Sequence, residues 1–533
     1  MRMKRFAPLL ATAGLLAGAL PLLTAGQAAA DPAGPADPAV QEYGPPKPAW
    51  HRCSAEQPAS YECATLKVPL DYHKPRGRTL DLAISRMKSP DPAKRRGVLL
   101  MNPGGPGGPG LDLPLMADGA LPRQVREQYD LIGFDPRGVG ASSPISCGLT
   151  DAEKEFQRAY RPETYASDVA WARTVADKCR EKSGDVLPYI TTRNTARDMD
   201  AIRSALGERK ISYLGYSYGT YLGAVYTQLF PSRTDRFVLD SAVDPQRIWR
   251  GMMQVWATEA EPAFARWTRW TAERDADYRL GATPEAVSAT FWDLVARADR
   301  DPVEFQGQKV TGDDIRRARP LFFTPAQAAP FISALKAAAD GRPAPHGAEA
   351  VDPARLRAAL GGGAAEPSSD NAAAVVWSVL CGDTDAWPRD PERYRRDAER
   401  DKARYPLYGD MASTIKPCAF WPRPAEAATP MRLPAGVLTV QNEWDSQTPL
   451  VSGQGMHQAL RGSRMVTALG GEGHTVYLSD PRSCVNATVD SYLTTGRLPA
   501  RDVTCTTAPA PAQQRQALPE RAPLPFPAAP GLF

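Results

Sequence analysis

The sequence predicts an α/β fold in which a mostly parallel central sheet is flanked by helices and carries a large inserted helical cap. Three observations predict it. From about residue 50, short apolar runs rich in β-branched residues end in glycine-rich or charged turns, and amphipathic stretches follow them. Helical periodicity replaces this pattern between residues 244 and 432, and strand-like runs return afterwards. Continuous apolar runs of this kind are typical of parallel strands buried on both faces.

The length and the charge of the chain limit what it can be. Its 533 residues exceed one ordinary domain, and a core with a large insertion accounts for them. The 64 basic and 60 acidic residues are interspersed and give a formal net charge of +4. Because no block of one sign offers a footprint for a polyanion, we exclude a nucleic-acid partner. We also expect a monomer.

The N-terminus has the pattern of an export signal. Residues 1–30 combine a basic start, an apolar run over residues 9–23 and small residues at 28–30, which predicts a signal peptide. Residues 31–48 are rich in proline and alanine and predict a flexible leader or pro-segment. We therefore expect a secreted, extracellular protein without a membrane contact after signal cleavage. The alternative is an uncleaved N-terminal anchor.

The eight cysteines predict disulfides, because their number is even and the chain is expected to be exported. Connectivity does not follow from sequence alone, but the order along the chain favours local pairing. The chain has no C-x-x-C motif, so we expect neither a metal site nor redox chemistry. The favoured pairs are Cys53 with Cys63, Cys147 with Cys179, Cys381 with Cys418, and Cys484 with Cys505.

The patterns divide the exported chain into three parts. Residues 49–243 are predicted to form the first part of the α/β core, residues 244–432 the cap, and residues 433–533 the C-terminal part of the core. Within the core, strand-like runs occupy residues 98–101, 131–134, 211–214, 237–239, 437–440 and 465–469, with a helix over 450–460. The clearest helical periodicity in the cap covers residues 254–270 and 284–298.

A G-x-S-x-G motif, Gly215 to Gly219, lies between a predicted strand and a predicted helix. A sharp strand-to-helix turn strains the backbone of the serine and needs small residues two positions before and after it. The alternative is an ordinary turn that matches the motif by chance, but chance rarely supplies both flanking elements. The motif therefore predicts a nucleophile, Ser217.

Serine needs a base within reach and an acid that orients the base. Of the five histidines, His474 alone follows a late strand and lies in a glycine-rich loop. The acid is expected between serine and histidine in chain order, at the end of a strand. Asp445 has that position; Glu443 is close enough to compete, and Asp445 could also serve as a helix N-cap.

An acyl-transfer site also needs N–H groups that bind the oxyanion. The residue after the nucleophile, Tyr218, is expected to supply one. The glycine-rich segment that follows the first strong strand, residues 102–108, is expected to supply the other from Gly104 or Gly105. A phosphate loop is excluded because no G-K-[S/T] follows. Together these motifs indicate the α/β-hydrolase fold.

With these motifs the chain resembles the secreted bacterial tripeptidyl aminopeptidases and proline-iminopeptidase-like serine peptidases of the α/β-hydrolase superfamily. The resemblance covers almost the whole mature chain. It rests on the glycine-rich loop at 103–107, Phe-Asp-Pro-Arg-Gly at 134–138, the serine motif, Val-Leu-Asp at 238–240, Cys-Gly-Asp at 381–383, the segments around Asp445 and His474, and residues 483–505.

The resemblance implies a serine exopeptidase that releases short peptides, with tripeptides as the expected product, from a free N-terminus, with no cofactor and with peptides as partners. Such an enzyme needs an anion for the substrate ammonium in a partly closed cleft. Two alternatives stay open: a carboxylesterase or secondary-metabolite hydrolase with the same triad, and a noncatalytic binding module. The acids considered for the ammonium are Asp383, Asp385, Glu259 and Glu261.

Overall fold

The computed structural model describes residues 43–343 and 370–506. The predicted signal peptide, residues 31–42 of the predicted leader and residues 507–533 lie outside the described residues. Within the two described ranges, no helix has the length and apolar character needed to cross a membrane.

The described strands form one ten-stranded sheet and one separate hairpin. The hairpin consists of β8 (Val303–Phe305) and β9 (Gln308–Val310). The strands of the large sheet are β1 (His51–Arg52), β2 (Tyr61–Pro69), β3 (Thr79–Met87), β4 (Gly97–Asn102), β5 (Tyr129–Phe134), β6 (Ile211–Tyr216), β7 (Thr234–Asp240), β10 (Leu438–Trp444), β11 (Arg464–Glu472) and β12 (Val503–Thr506).

The order across the large sheet is β1, β2, β3, β5, β4, β6, β7, β10, β11, β12. The pairs from β1 to β5 are antiparallel. All pairs from β5 to β12 are parallel. The predicted mostly parallel sheet is therefore confirmed, and the three strands at one side extend it in antiparallel fashion.

Helices pack on both faces of the sheet. Before β7 they are α1 (Leu113–Asp118), α2 (Arg123–Arg126), α3 (Asp151–Lys154), α4 (Tyr165–Ser183), α5 (Thr192–Ala205) and α6 (Tyr218–Leu229). Between β7 and β10 they are α7 (Arg250–Ala272), α8 (Asp275–Tyr278), α9 (Pro284–Arg300), α10 (Gly312–Arg317), α11 (Pro325–Ala339), α12 (Asn371–Gly382), α13 (Pro391–Arg404) and α14 (Gly409–Ser413). After β10 come α15 (Leu450–Ala459) and α16 (Asn486–Thr495).

Alternation along the central strands explains the two covered faces. Leu100 and Leu239 point into a buried cluster shared with α5 and α6. Their neighbours Leu99 and Val238 point into another cluster shared with α1, α2 and α16. Because successive strand residues face opposite sides, an uninterrupted apolar run buries both faces at once.

The segment between β7 and β10 packs in two ways. Its first part, α7 to α11 with the hairpin, builds a separate buried cluster around Phe264, Trp267, Phe291 and Phe322. The rings of Phe264 and Phe291 lie 4.9 Å apart. Its later part, from α12 onward, packs into the core cluster through residues such as Trp377. The insertion is thus a helical layer joined closely to the core, and the β8–β9 hairpin within it was not predicted.

Four disulfides join the described elements, in the sequential order that the cysteine positions favoured. They are Cys53–Cys63, Cys147–Cys179, Cys381–Cys418 and Cys484–Cys505. The linked residues are separated by 10, 32, 37 and 21 positions. Closing loops of these lengths restricts the unfolded chain, which typically raises the free energy of unfolding by about 2 to 4 kcal/mol for each disulfide.

The sheet brings the predicted motifs to one edge. Parallel register aligns Asn102 of β4 with Gly215 of β6. It also aligns Tyr216 and Val440 with Asp240 at the end of β7. Since these strands are parallel, the loops that follow their carboxyl ends leave from the same edge.

Candidate active site

Ser217 occupies a strained turn between β6 and α6. Its backbone has φ 55° and ψ −124°, a combination that residues with a side chain rarely adopt. The Ser217 N–H donates to the Asp240 carbonyl at 3.0 Å, and its own carbonyl accepts the N–H of Thr220 at 2.9 Å. The side chain is 8% exposed. Neighbouring main chain therefore holds the serine at the N-terminus of α6.

The two glycines of the motif are required by close packing. A Cβ atom on Gly215 would lie 2.6 Å from the carbonyl oxygen of Gly219. A Cβ atom on Gly219 would lie 2.8 Å from Asn102 Oδ1. Both distances are shorter than a normal contact, so larger residues at these positions would displace the turn.

Asp445 and His474 lie in contact after neighbouring strands. His474 belongs to the base loop, residues 473–478, which follows β11. Its Nδ1 lies 2.9 Å from Oδ1 and 3.0 Å from Oδ2 of Asp445. The competing acid, Glu443, instead accepts the N–H of Gly470 at 2.7 Å. The structure thus joins Asp445, and not Glu443, to the histidine.

The Asp445 carboxylate is fully buried and accepts several further hydrogen bonds. The N–H groups of Gln447 and Thr448 donate to Oδ1 at 2.8 and 2.9 Å. The Thr448 hydroxyl donates to Oδ2 at 2.9 Å, and the Gln441 amide does so at 3.3 Å. This network fixes the orientation of the carboxylate. Thr448 was missed in the sequence, although its position three residues after Asp445, at a helix start, is a common side-chain bonding pattern.

The pair titrates as expected for an acid that supports a base. Burial acts to raise the pKa of Asp445, but the charge and hydrogen bond of His474 and the N–H donors outweigh it and hold this pKa below its usual range. Burial likewise acts to lower the pKa of His474, whereas Asp445 and, more weakly, Asp240 raise it above its usual value. A protonated His474 is therefore stabilised.

Among the described residues, the Ser217 hydroxyl has no hydrogen-bond partner. Serine–histidine hydrogen bonds are often long without substrate and tighten when substrate binds. In this structure Asp445 and His474 are in direct contact, and Ser217 lies at the same edge of the sheet.

Gly104 of the loop after β4 lies against the serine turn, and it differs from its neighbour Gly105 in its N–H group. A Cβ atom on Gly104 would lie 2.5 Å from the carbonyl of Tyr216 and 3.0 Å from Ser217 Cβ. The Gly104 N–H already donates to Asn102 Oδ1 at 3.0 Å. The N–H of Gly105 has no acceptor in the described part of the chain.

The sequence also matches known protein families. Residues 97–294 match the model of the alpha/beta hydrolase fold, and residues 405–505 match that of the TAP-like protein family. The chain is 37% identical to a tripeptidyl aminopeptidase of Streptomyces lividans over 486 residues, 86% of each chain. The chain belongs to the tripeptidyl aminopeptidase family of the α/β-hydrolase superfamily.

Other members of this family are also similar. The serine protease Hip1 of Mycobacterium tuberculosis is 30% identical over 490 residues, which cover 86% of this chain and 90% of that protein. A carboxylesterase B of the same organism is 31% identical over 523 residues, or 92% of this chain and 96% of that one. Family membership and fold together make the protein a serine hydrolase.

Of the acids considered for a substrate ammonium, Asp383 is the most buried. Its carboxylate accepts the N–H of Thr192 at 2.8 Å and the Thr192 hydroxyl at 2.6 Å. The Trp249 indole donates to it at 3.3 Å. Burial raises the pKa of Asp383 to about 6, against the opposing effect of these donors. The Thr192 hydroxyl also bonds the phenol of Tyr218 at 2.8 Å, so Asp383 buttresses the residue next to the nucleophile.

The other three acids differ in how freely they face solvent or substrate. Asp385 is exposed and forms ion pairs with Arg389 and Arg423. Glu261 accepts the N–H of Leu407 at 3.1 Å. No described basic residue pairs with the half-buried Glu259. The four acids thus differ in their contacts: Asp383 accepts bonds from buried donors, Asp385 forms surface ion pairs, Glu261 bonds a loop N–H, and Glu259 has no basic partner among the described residues.

Proposed function

We propose that this protein is a secreted serine exopeptidase that releases short peptides, above all tripeptides, from free N-termini through an acyl-enzyme on Ser217. One observation carries the proposal. A buried Asp445–His474 pair lies at the same sheet edge as the strained serine, in a chain that matches a tripeptidyl aminopeptidase over 86% of each sequence.

In the proposed acylation step, His474 accepts the proton of the Ser217 hydroxyl as the oxygen attacks the scissile carbonyl. Asp445 bonds Nδ1 of the imidazole, so Nε2 is the nitrogen that accepts the proton. The imidazolium that forms is stabilised by the buried carboxylate. Its proton then passes to the leaving amine. Water next attacks the acyl-enzyme while His474 accepts its proton, and return of that proton to Ser217 releases the peptide.

The oxyanion of this step needs two donors. The Tyr218 N–H is the first of α6 and has no acceptor in the turn before it. Gly105 is the better second donor, because the Gly104 N–H is already bonded to Asn102. We therefore assign the oxyanion hole to Tyr218 and Gly105, with Gly104 providing the close approach of the loop to Ser217.

Glu259 is the carboxylate that we propose for the substrate ammonium. One turn earlier on α7, the Trp256 indole donates to the carbonyl of Gln447, which places this part of the helix near the Asp445 segment. Burial raises the pKa of Glu259, opposed by the Thr258 hydroxyl and the charge of Arg247. An acid without a basic partner, partly removed from water, attracts an ammonium more strongly than a fully solvated one.

The domain assignments and the location are part of the same proposal. Residues 1–30 would direct export, residues 31–48 would form a leader, and residues 244–432 would form the cap that restricts access to chain ends. The four disulfides agree with an extracellular protein. We propose a monomer.

Replacement of the nucleophile tests the chemistry. Ser217→Ala is expected to abolish hydrolysis of a tripeptidyl arylamide and labelling by a fluorophosphonate, while circular dichroism stays unchanged. Ser204→Ala, an exposed serine of α5, is the matched control and should behave as wild type. Full activity of Ser217→Ala would reject the assignment.

Product analysis tests the exopeptidase assignment. Mass spectrometry of one unblocked peptide and its N-acetylated form is expected to show terminal tripeptides from the unblocked peptide only. Equal cleavage of both forms, or cleavage at internal bonds, would contradict it.

A second candidate function is favoured by the similarity to a carboxylesterase B over 92% of the chain. The same triad can hydrolyse esters, since the triad alone does not choose between ester and amide. Turnover of short acyl esters without turnover of any unblocked peptide would support the esterase and reject the peptidase.

Glu259→Gln tests the ammonium site. We expect about a tenfold rise in KM for unblocked peptides, or ~1.4 kcal/mol. Glu285→Gln, an exposed acid at the start of α9, is the control. An unchanged KM in Glu259→Gln would remove this residue from the site.

A further inference from the structure

The residue pair that follows the apolar part of β7, Asp240 and Ser241, has no part in the mechanism above. The main-chain oxygen of Asp240 accepts the N–H of Ser217 at 3.0 Å. The N–H of Ser241 donates to the carbonyl of Val440 on β10 at 2.9 Å. The pair is therefore attached both to the nucleophile turn and to the strand that leads to Asp445.

The side chains of the same pair bind the base loop. The Asp240 carboxylate accepts the N–H of Val476 at 3.0 Å and that of Tyr477 at 2.7 Å. The Ser241 hydroxyl accepts the N–H of Thr475 at 2.9 Å and donates to Asp240 at 3.1 Å. The three consecutive N–H groups directly after the histidine thus donate to Asp240, the last residue of β7, and to Ser241, which follows it.

The backbone of these segments requires such support. Ser241, Thr475 and Leu478 have φ values of 59°, 72° and 66°, in the left-handed region that is unfavourable for residues with a side chain. Conformations of this kind persist only where the surrounding structure holds them. The bonds to Asp240 and Ser241 hold residues 475–477, while the Asn442 amide and the Trp444 carbonyl bind the main chain of Gly473 just before them.

The Asp240 carboxylate also lies near enough to the base for its charge to raise the pKa of His474. It is fully buried, and no lysine or arginine of the described ranges forms an ion pair with it. Burial raises its pKa to about 7, while the N–H donors, the Ser241 hydroxyl and the charge of His474 oppose this rise. The titratable groups around Asp240 and His474 are Asp445 after β10, Tyr216 of β6, Tyr477 of the base loop and Asp490 of α16.

We propose that Asp240 and Ser241 are positioning residues that hold the base loop against the nucleophile turn, and that the Asp240 carboxylate is a second anion supporting the protonated His474 during acyl transfer. This inference rests on the proposed function, since it assigns a role relative to that triad. Asp445 orients the ring directly, whereas Asp240 acts through the main chain of the loop and through its charge.

The test compares three variants on an unblocked tripeptidyl arylamide. Asp240→Asn keeps the size of the side chain but loses the charge and one acceptor oxygen. We expect kcat to fall about tenfold or more with KM within twofold, and the acid limb of kcat/KM to move to lower pH by about half a unit or more. Ser241→Ala keeps the charge, so kcat should fall severalfold without a shift of the acid limb.

Asp370→Asn is the matched control. Its carboxylate accepts two N–H groups, of Cys147 and Leu149, and the Ser146 hydroxyl, which is the same set of donor types. It lies at the start of α12, outside the triad loops, and its replacement is expected to lower stability without moving the acid limb. A similar shift in both aspartate variants would show a general loss of structure and overturn the proposal.

The outcomes separate this inference from the proposed function. If Ser217→Ala is inactive while Asp240→Asn keeps the wild-type kcat and acid limb, the role of Asp240 is rejected and the triad stands. If Ser217→Ala is active, the proposed function fails first. Should Asp240→Asn not fold, as judged by circular dichroism, Ser241→Ala decides: a kcat within twofold of wild type would overturn the proposal.

Discussion

The sheet edge that carries the proposed triad and the helical segment between β7 and β10, the proposed cap, differ in how their buried charged groups are hydrogen-bonded. Asp445 at the edge is fully buried and accepts bonds from an imidazole, two N–H groups, a hydroxyl and an amide. Arg319 in the cap is also buried, between the rings of Trp256 and Tyr408. It donates to the carbonyl of Ser446, and its Nε has no partner among the described residues.

The difference shows where each kind of function resides. At the edge, several donors converge on the carboxylates of Asp445 and Asp240, so the chemistry is preorganised. In the cap, the buried Arg319 has fewer partners, and its Nε is left without one among the described residues. Changes at the edge should therefore lower kcat, and changes in the cap should act on substrate binding or on stability.

The largest expected effect lies at the edge. Asp445→Asn keeps the shape of the carboxylate but favours the wrong tautomer of His474, and kcat should fall by roughly 10³ to 10⁴. Glu443→Gln, the acid two residues earlier, should keep kcat within about threefold. Steady-state kinetics on the tripeptidyl arylamide measures both, and equal losses would contradict the assignment of the acid.

A smaller but still large effect is expected at the oxyanion loop. Gly104→Ala would place a methyl group 2.5 Å from the Tyr216 carbonyl, at a φ of +97°. The loop must then move away from the serine, and kcat should fall about a hundredfold. Gly119→Ala, where no atom lies within 4 Å, is the control. Wild-type kcat in Gly104→Ala would exclude the close approach.

A contact between the two regions should give a moderate effect. Arg266 of α7 pairs with Glu472 of β11, and its guanidinium lies 4.5 Å from the Trp444 ring centroid. Both partners immediately precede triad loops, so Arg266→Ala should lower kcat/KM severalfold. Arg274→Ala removes a similar stacking arginine, over Trp270 at 4.1 Å, without contact to these strands. Equal effects in the two variants would argue against a link from cap to triad.

The smallest effect on catalysis is expected at Glu426, near the C-terminal end of the proposed cap, which binds Arg193 and Arg197 of α5 at 2.6 Å each. Burial acts to raise its pKa, but the two arginines lower it to about 2 from 4.5. A lowered pKa stabilises the folded state above pH 4.5, and this contribution is lost as the pH falls toward 2.

Glu426→Gln should therefore cost about 2 kcal/mol of unfolding free energy at pH 7 and progressively less below pH 4.5, with kcat unchanged. Urea denaturation of both proteins at pH 7 and pH 3 measures it. A cost that is independent of pH would mean that the charge of Glu426 is not the source of the stabilisation.

Much of the fold could be predicted because its signals are local. Five of the six predicted strand runs lie within strands of the large sheet, and the run at 437–440 begins one residue before β10. The predicted late helix corresponds to α15. The antiparallel strands β1 to β3 and the β8–β9 hairpin were not singled out. They are short or partly exposed, so they lack the continuous apolar runs that mark buried parallel strands.

The site was predictable to a similar degree. Ser217, Asp445 and His474 each follow a strand in a recognisable local pattern. Asp240 is the last residue of such a strand, and that position could have drawn attention to it. The roles of Asp383 and Asp385 could not be distinguished, because their partners lie far away in sequence: Thr192 for the first and Arg423 for the second.

The sequence by itself determined the α/β class, the family and the order of the three triad residues, because each of these depends on short segments whose chemistry is independent of distant parts of the chain. Only the tertiary structure decided that Asp445 rather than Glu443 meets His474, that the N–H of Gly104 is already occupied, and that Asp240 joins the base loop to the nucleophile turn. These depend on strand register and loop conformation, which bring together residues that can be more than two hundred positions apart in the sequence.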